Sequence, residues 1–365
     1  MTRMTKYLLL GTGIAGFVLL GLAQSIFGPV LPVYAQVFGL EISSVSWVLS
    51  VFWVGSLAAV GAVYAAPVLL GPKIGLVTAA LGTTLLALMS NWSLVLAGAA
   101  LFGFGYGVIA AVWNPRVLAA YGPRGPSMLS VMNALFTLGA IASPQLFLAF
   151  DQQPASVFWT FTGFAGVILL VTFAMGDTRT APTKAGEDGP LDLPILGFAF
   201  LGIGLESSLV GLGPTGLARV GETPERAAQL LSLFFITYLI SRASLIFIAH
   251  RIPPFAIFVG SVSALTLLTL MAILGDTGFW FPLMGFACGS IFHGEYLTGL
   301  RRMGGTTRVS AVLLAAGMLG AIIMPVLISQ VLGMLGPHGF FQIILGITGT
   351  LTVLAGLSLR RLIRV

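Results

Sequence analysis

The chain has 365 residues, of which 57% are hydrophobic and only 8% are charged, and its mean hydropathy is +1.04. A soluble protein of this length needs far more charge on its surface, so the composition excludes a soluble globular fold and indicates a polytopic α-helical membrane protein. The single cysteine, Cys288, excludes an internal disulfide framework and a metal site built from several cysteines.

Apolar runs of about twenty residues, each long enough to cross roughly 30 Å of hydrocarbon as a helix, recur along the chain. The first run follows a basic N-terminal region, but it is too long for a cleaved signal peptide and is interpreted as a span. Short connections rich in Gly, Pro and Asp separate the runs. We predict twelve spans, at 7–36, 44–69, 73–90, 93–119, 127–149, 155–175, 191–217, 226–249, 252–274, 277–300, 306–334 and 338–359.

The basic residues are distributed unevenly over the connections. If the N-terminus is cytoplasmic, fifteen of the 17 Lys and Arg residues lie on the cytoplasmic side, and only Arg219 and Arg226 lie outside. The net charge of +6 therefore reflects topology and contact with anionic lipid, and no nucleic-acid partner is needed to explain it. We expect a monomer in a bacterial inner membrane, with both termini in the cytoplasm.

The sequence partly repeats itself after about 182 residues. The stretch "LSVFW" (49–53) matches "LSLFF" (231–235), and "LGAIASP" (138–144) matches "LGAIIMP" (319–325). These matches are collinear, which predicts two six-helix halves, 1–175 and 191–365, joined by a cytoplasmic linker at 176–190. Repeat-built membrane folds with twelve spans are mostly transporters.

Two acidic residues lie inside predicted spans. Glu206 is near the middle of the seventh span, next to Ser207 and among glycines that allow a helix to open toward a ligand. An ionised acid at this depth costs about 2.5–3.5 kcal/mol, so it normally faces the interior of the bundle. Glu206 is predicted to exchange a proton or to accept hydrogen bonds from a substrate; the alternative is a protonated side chain bonded to a neighbouring helix.

Glu295 lies in the tenth span, about 9 Å from its cytoplasmic end at 1.5 Å per residue. Pairing with an arginine would make it part of an inner gate, an interpretation that we favour over proton coupling. His293 lies on a nearly opposite face of the helix and forms no metal motif with Glu295; it is either a third titrating group or a packed histidine. The predicted gate residues are Glu295, Arg116, Arg242, Arg301 and Arg302. No metal or cofactor is expected.

The spans of the N-terminal half carry neutral amides and tryptophans instead of acids. Amides bond hydroxyl groups in both directions, and an aromatic ring offers an apolar face to the C–H side of a sugar. A single amide can equally join two helices. The predicted substrate-binding residues are Gln24, Trp53, Asn114, Asn133, Gln145, Glu206 and Ser207.

The stretch 113–146, "WNPRVLAAYGPRGPSMLSVMNALFTLGAIASPQL", resembles the fourth and fifth helices of the fucose–proton symporter and the related glucose/galactose transporters, with Asn114 and Asn133 at positions of their pattern. The stretch from Gly204 to Arg242 resembles their seventh and eighth helices, with Glu206 at their glutamate. The resemblance implies the major facilitator fold, an all-α membrane protein of two six-helix halves in pseudo-twofold parallel repeat. It also implies that the first and seventh helices line a central cavity.

Some positions depart from that group, which carries acids in its first and fourth helices. This chain has Gln24 and Asn114 there, so the resemblance leaves Glu206 as the candidate proton carrier. The predicted function is secondary transport of a small polar solute, favouring a sugar moved with protons by alternating access. A drug–proton antiporter and an uncoupled facilitator remain alternatives. A polytopic membrane enzyme is disfavoured because the three histidines provide no nucleophile–base pair or metal cluster.

Overall fold

The computed structural model of the protein describes residues 3–65, 69–174, 189–248, 251–304 and 307–363. Over these ranges the chain forms twelve long α-helices, one short helix, α2, and a 3-10 turn at Gly122–Arg124. The α-helices are α1 (Arg3–Phe38), α2 (Ile42–Val45), α3 (Trp47–Ala65), α4 (Pro72–Leu88), α5 (Trp92–Tyr121), α6 (Gly125–Ala149), α7 (Pro154–Ala174), α8 (Leu193–Arg219), α9 (Pro224–Ile248), α10 (Pro254–Leu274), α11 (Thr277–Met303), α12 (Thr307–Leu332) and α13 (Gly339–Ile363).

The twelve long helices correspond one for one to the twelve predicted spans. Within the described ranges, ten segments are long and apolar enough to cross a membrane. The other two long helices are α4, which is apolar but has only 17 residues, and α11, which is the least hydrophobic because it carries His293, Glu295 and two arginines. The prediction of a multi-pass helical membrane protein is therefore confirmed.

The chain forms two compact units, Met1–Pro182 and Thr183–Val365. In the first unit α1 packs on α6, α3 and α4 pack on α5, and α4 packs on α7. In the second unit α8 packs on α12, α9 and α10 pack on α11, and α10 packs on α13. The same packing order thus recurs in both units, as an internal repeat requires. The predicted linker lies outside the described residues apart from Gly189 and Pro190, and the predicted domain boundaries stay a prediction.

Glycines allow the helix backbones to touch at equivalent places in both units. Gly103 of α5 lies against the carbonyl oxygen of Phe52 in α3, and Gly285 of α11 lies against that of Phe234 in α9, in each case 182 residues further on. A Cβ atom at either glycine would collide with the carbonyl. Two more pairs of contacts recur in this way. Gly107 lies against the Ser56 carbonyl as Gly289 lies against that of Tyr238. Gly139 lies against the Val18 carbonyl as Gly320 lies against that of Phe200.

Hydroxyl hydrogen bonds between helices follow the repeat as well. Ser25 of α1 donates to the carbonyl oxygen of Ala140 in α6 at 2.7 Å, and Ser207 of α8 donates to that of Ala321 in α12 at 3.4 Å. Such bonds join helices where neither water nor lipid provides a partner. Ser207, which was predicted to bind substrate, thus has a hydrogen bond that serves helix packing.

The close helix crossings predict the effect of a single added methyl group. Gly103→Ala and Gly285→Ala should each cost about 1–3 kcal/mol, because a backbone carbonyl cannot move aside as a side chain can. Thermal unfolding of the purified protein in detergent measures the loss. Gly163→Ala and Gly260→Ala are matched controls, since a Cβ at either position meets no atom within 4 Å. If Gly103→Ala and Gly285→Ala melt at the same temperature as the two control variants, the close backbone contacts at Gly103 and Gly285 are contradicted.

Candidate functional site

Gln24, Asn114 and Trp113 of the first unit each have a buried polar atom without a hydrogen-bond partner in the described ranges. The side-chain oxygens of Gln24 in α1 and Asn114 in α5 are buried, and within the described ranges neither has a partner. The same holds for Nε1 of Trp113, whose side chain is fully buried. A buried polar group without a hydrogen-bond partner destabilises the folded state by about 1–3 kcal/mol. In native proteins such a group usually indicates a ligand, an ordered water or a functional role.

Trp113 and Asn114 of α5 lie beside a different part of α1 from the part that carries Gln24. Trp113 packs against Gly13 and Gly16 of α1, which places Asn114 near the start of that helix. Gln24 follows Gly16 by eight residues, or about 12 Å along the helix. The structure therefore does not bring Gln24 and Asn114 into one cluster.

The remaining candidates of the first unit are on other surfaces. Trp53 of α3 packs edge-on against Tyr106 of α5, with 5.6 Å between ring centroids, and its side chain is partly exposed. Asn133 and Gln145 lie on exposed positions of α6, twelve residues apart. Each can therefore offer polar or aromatic groups to a ligand, but not from a single compact cluster.

Glu206 belongs to a chain of three polar side chains in the second unit. It lies in the middle of α8, partly exposed, and the Tyr238 hydroxyl donates to its Oε1 at 3.1 Å. The same hydroxyl oxygen accepts a hydrogen bond of 2.6 Å from Nη2 of Arg242, whose guanidinium lies 4.5 Å from the centre of the tyrosine ring. The carboxyl group is thus connected to a permanent positive charge through one phenol. We call these three residues the Glu206 relay.

The spacing of residues on α9 produces this geometry. Tyr238 and Arg242 are four residues apart, so their side chains lie one above the other on the same helix face. Tyr238 is 1% exposed and packs between Phe234 and Phe235, which fixes its ring. The arginine stem can lie along this fixed ring while its charged end reaches the hydroxyl. Tyr238 was not among the predicted site residues; its spacing from Arg242 was the signal.

Helix α11 adds His293 at the level of Arg242. Gly285 of α11 lies opposite Phe234 of α9, and Gly289 lies opposite Tyr238. In both pairs the residue numbers differ by 51. The same separation pairs Arg242 with His293, and the charge of Arg242 acts on this imidazole. His293 is partly buried, and its Nε2 is buried with no hydrogen-bond partner in the described parts of the chain.

Glu295 is the most deeply buried acid of the structure's described residues. Its side chain is 1% exposed, and neither carboxyl oxygen has a hydrogen-bond partner there. Gly202 of α8 lies directly opposite, and a Cβ at that position would run into Oε2 of Glu295. The lack of a side chain at Gly202 thus makes the room that the carboxyl group occupies.

The predicted pairing of Glu295 with an arginine is not found. Nε of Arg302 forms an ion pair of 2.6 Å with Oδ2 of Asp192. Arg242 donates a hydrogen bond to Tyr238, and Arg301 is exposed. Two helical turns separate Glu295 from Arg302, whereas Asp192 lies at the start of α8, where it also accepts a hydrogen bond from the backbone N–H of Ile195. Glu295 therefore forms no ion pair within the described residues, and its predicted gating role stays a prediction.

Arg116 lies on α5 with its Nη2 near Gly71, which precedes α4. Its gating role stays a prediction, as do the proton-coupling roles of Glu295 and His293. No group of three or more His, Cys, Asp or Glu side chains that could hold a metal ion occurs within the described ranges.

Because the buried carboxyl group of Glu295 has no hydrogen-bond partner in the described residues, we expect an apolar side chain of similar size to stabilise the protein. Glu295→Met should raise the free energy of unfolding by about 1–3 kcal/mol, because it removes buried polar atoms that have no partner. Glu295→Gln is the matched control, since it keeps two polar atoms and should give no gain. Thermal unfolding in detergent measures both. A lower melting temperature for Glu295→Met would show that the carboxyl makes stabilising contacts.

Comparison with known proteins identifies the family. A mutant of the nucleoside transporter NupG has a TM-score of 0.78 at 14% identity, with 96% of this chain and 99% of that chain covered. A D-xylose–proton symporter has a TM-score of 0.74 at 13% identity, with 96% of each chain covered. The human organic anion transporter MFSD10 (TETRAN) has a TM-score of 0.69 at 18% identity, with 97% and 100% covered.

These identities show the shared fold alone, and no curated protein gave a significant match. The sequence profile of the Major Facilitator Superfamily matches residues 13–305, which is most of the chain. The resemblance found in the sequence is confirmed at this level. The chain belongs to the Major Facilitator Superfamily and is a membrane transporter, not an enzyme.

Proposed function

We propose that the protein is a secondary active transporter that moves a sugar-like solute together with protons by alternating access. The observation that carries this proposal is the Glu206 relay, in which a carboxyl group at the middle of a spanning helix meets a fixed positive charge through Tyr238. A similar fold in a D-xylose–proton symporter supports a sugar and a proton as the transported pair. The excess of Lys and Arg on alternate connections supports cytoplasmic termini. A bacterial inner membrane is part of the same proposal.

Glu206 suits proton exchange better than Glu295 does. Its side chain is partly exposed, so a proton can reach it, whereas Glu295 is 1% exposed and enclosed by α8 and α11. The Tyr238 hydroxyl can donate to an ionised Glu206, and it can rotate to accept from a protonated one. Both charge states of Glu206 therefore have a hydrogen-bond partner, as a group that loads and releases protons requires.

The amides of Gln24 and Asn114 are the best candidates for binding solute hydroxyls in the first unit. Their side-chain oxygens are buried and have no partner in the described part of the chain, and a hydroxyl is a suitable donor for each. The partly exposed ring of Trp53 can stack on an apolar sugar face. Asn133 and Gln145 stay in the proposed set as exposed polar groups of α6, whereas Ser207 already bonds the Ala321 carbonyl.

Neutralising Glu206 should separate transport from the proton gradient. In proteoliposomes, the wild type should concentrate a labelled hexose when the proton gradient is directed inward. Glu206→Gln should still exchange the hexose but lose accumulation by at least about tenfold, because an amide cannot carry a proton. Glu41→Gln is the matched control, since Glu41 is exposed at the connection before α2.

Two results would contradict proton coupling at Glu206. Accumulation by Glu206→Gln equal to that of the wild type would place the coupling group elsewhere. Wild-type uptake that ignores the gradient would make the protein an uncoupled facilitator.

The amide proposal predicts a loss of apparent affinity. Gln24→Ala and Asn114→Ala should each raise the KM for the transported sugar by about 5- to 100-fold, because a hydrogen bond to the solute is lost at about 1–3 kcal/mol. The concentration dependence of uptake gives the KM values. Gln342→Ala, at an exposed position of α13, should leave the KM unchanged. An unchanged KM for both test variants would leave the two amides with a packing role only.

A further inference from the structure

We infer that Arg242 and His293 form a subsite for a carboxylate group of the transported solute, so that the protein prefers a sugar acid to the corresponding neutral sugar. The inference rests on the proposed function and narrows its substrate class. It also gives the Glu206 relay a second role, as the element that makes binding of the acid depend on binding of a proton.

Arg242 is a permanent charge with unused hydrogen-bond donors. A guanidinium stays protonated in proteins and has five N–H donors, of which Tyr238 accepts one. Among the residues that the structure describes, no carboxylate lies within ion-pair distance of Arg242, and the ion pair found there joins Arg302 to Asp192. The Arg242 side chain is partly exposed. A ligand can therefore reach the remaining donors.

Tyr238 holds the guanidinium in one orientation. The hydrogen bond of 2.6 Å fixes one nitrogen, and the ring face 4.5 Å away fixes the guanidinium plane. The tyrosine is itself immobilised by the phenylalanines around it. A planar guanidinium that is already oriented matches the two oxygens of a carboxylate, and less side-chain freedom is lost when it binds.

His293 supplies a second group at the same level. Its Nε2 is buried and has no partner in the described residues, although the neighbouring Ser290 of the same helix bonds Ser241 at 2.6 Å. An imidazole nitrogen that carries a proton donates to a carboxylate. The arginine from α9 and the histidine from α11 thus present donors from two adjacent helices to one ligand group.

Glu206 controls how much positive charge this subsite has. When Glu206 is ionised, its charge offsets that of Arg242 through Tyr238, and an anion gains little. When Glu206 is protonated, the charge of Arg242 is no longer offset and attracts an anion. The titratable groups that interact with the charge of Arg242 are Glu206 of α8, His293 of α11 and Tyr238 of its own helix. Cys288 and Glu295 of α11 interact with the charge of Glu206.

Proton uptake by Glu206 and binding of the acid should therefore strengthen each other by the same factor. Coupling between two sites in one protein is typically about 5- to 150-fold. The sign follows from the charges: the affinity for the acid rises as the pH falls through the titration of Glu206. Protonation of His293 would act in the same direction, so variants must separate the two.

The test compares a hexuronate with the hexose of the same stereochemistry. Calorimetry on the purified full-length protein, at mildly acidic and mildly alkaline pH, gives the Kd of each, and uptake into proteoliposomes shows which is transported. The wild type should bind the hexuronate at least about tenfold more tightly than the hexose, and more tightly at acidic pH. Arg242→Gln should remove this preference, and Arg242→Lys should restore part of it, because the charge returns without the planar fork.

Two further variants isolate the coupling. Glu206→Gln should bind the hexuronate tightly at both pH values, whereas His293→Gln should keep the pH dependence. Arg226→Gln, an exposed arginine of the same helix α9, is the matched control and should behave as the wild type. A melting temperature for each variant shows whether it is folded, and the wild-type comparison needs no variant at all.

The outcomes distinguish the inference from the proposed function. If the wild type binds and transports the hexose but not the hexuronate, the carboxylate subsite is overturned and sugar transport stands. If the hexuronate is preferred but Arg242→Gln and Arg242→Lys bind it as the wild type does, the acid is recognised elsewhere and the inference is again overturned. If neither compound binds or is transported, the sugar-like substrate class itself fails, and the inference fails with it.

Discussion

Both units of the protein depend on the close approach of helix backbones at glycines. Where Gly139 of α6 meets the Val18 carbonyl and Gly320 of α12 meets that of Phe200, the helices are near enough for serine hydroxyls of α1 and α8 to reach carbonyls of the neighbouring helix. Within lipid there is no hydrophobic force between helices, so contact at small residues and such hydrogen bonds must hold them together. A glycine that must face the neighbouring backbone also limits the rotation of its helix, and with it the direction in which the other side chains of that helix can lie.

The repeat preserves this framework while the polar residues differ between the units. Gln24 of α1 and Glu206 of α8 are 182 residues apart, and so are Trp113 of α5 and Glu295 of α11. Equivalent positions thus carry an amide and an indole in the first unit, but two carboxyl groups in the second. Because the backbone crossings are shared, a change of side chain alters the chemistry at a position without moving the helix. At these two pairs of positions the neutral side chains thus belong to the first unit and the acidic ones to the second.

The sequence predicted the features that depend on composition and repetition. The twelve spans follow from apolar runs, which need no tertiary information, and the family follows from a collinear repeat and the residues around Asn114 and Glu206. What it could not predict depends on contacts between helices. The pairing of Arg302 with Asp192, and not with Glu295, requires the start of α8 to lie near the end of α11, which no local pattern shows.

Tyr238 illustrates a different limit. Its spacing from Arg242 was visible in the sequence, but an aromatic residue in an apolar helix usually packs in the core. Only the contact with Glu206 distinguishes it from the other aromatic residues of α9, and this contact depends on how α8 lies against α9. Sequence reasoning therefore identified both charged ends of the relay but not the hydroxyl that joins them.

The two carboxyl groups of the second unit differ in what surrounds them, and this decides what each can do. Glu206 has a hydroxyl partner, a nearby permanent charge and partial exposure, so both its charged and its neutral form have partners. Glu295 is 1% exposed and has no hydrogen-bond partner among the described residues, and Gly202 leaves room for it without offering a donor. Since a change of charge at Glu295 would have no compensation from the described residues, the geometry supports our proposal that Glu206, and not Glu295, is the group that exchanges the proton.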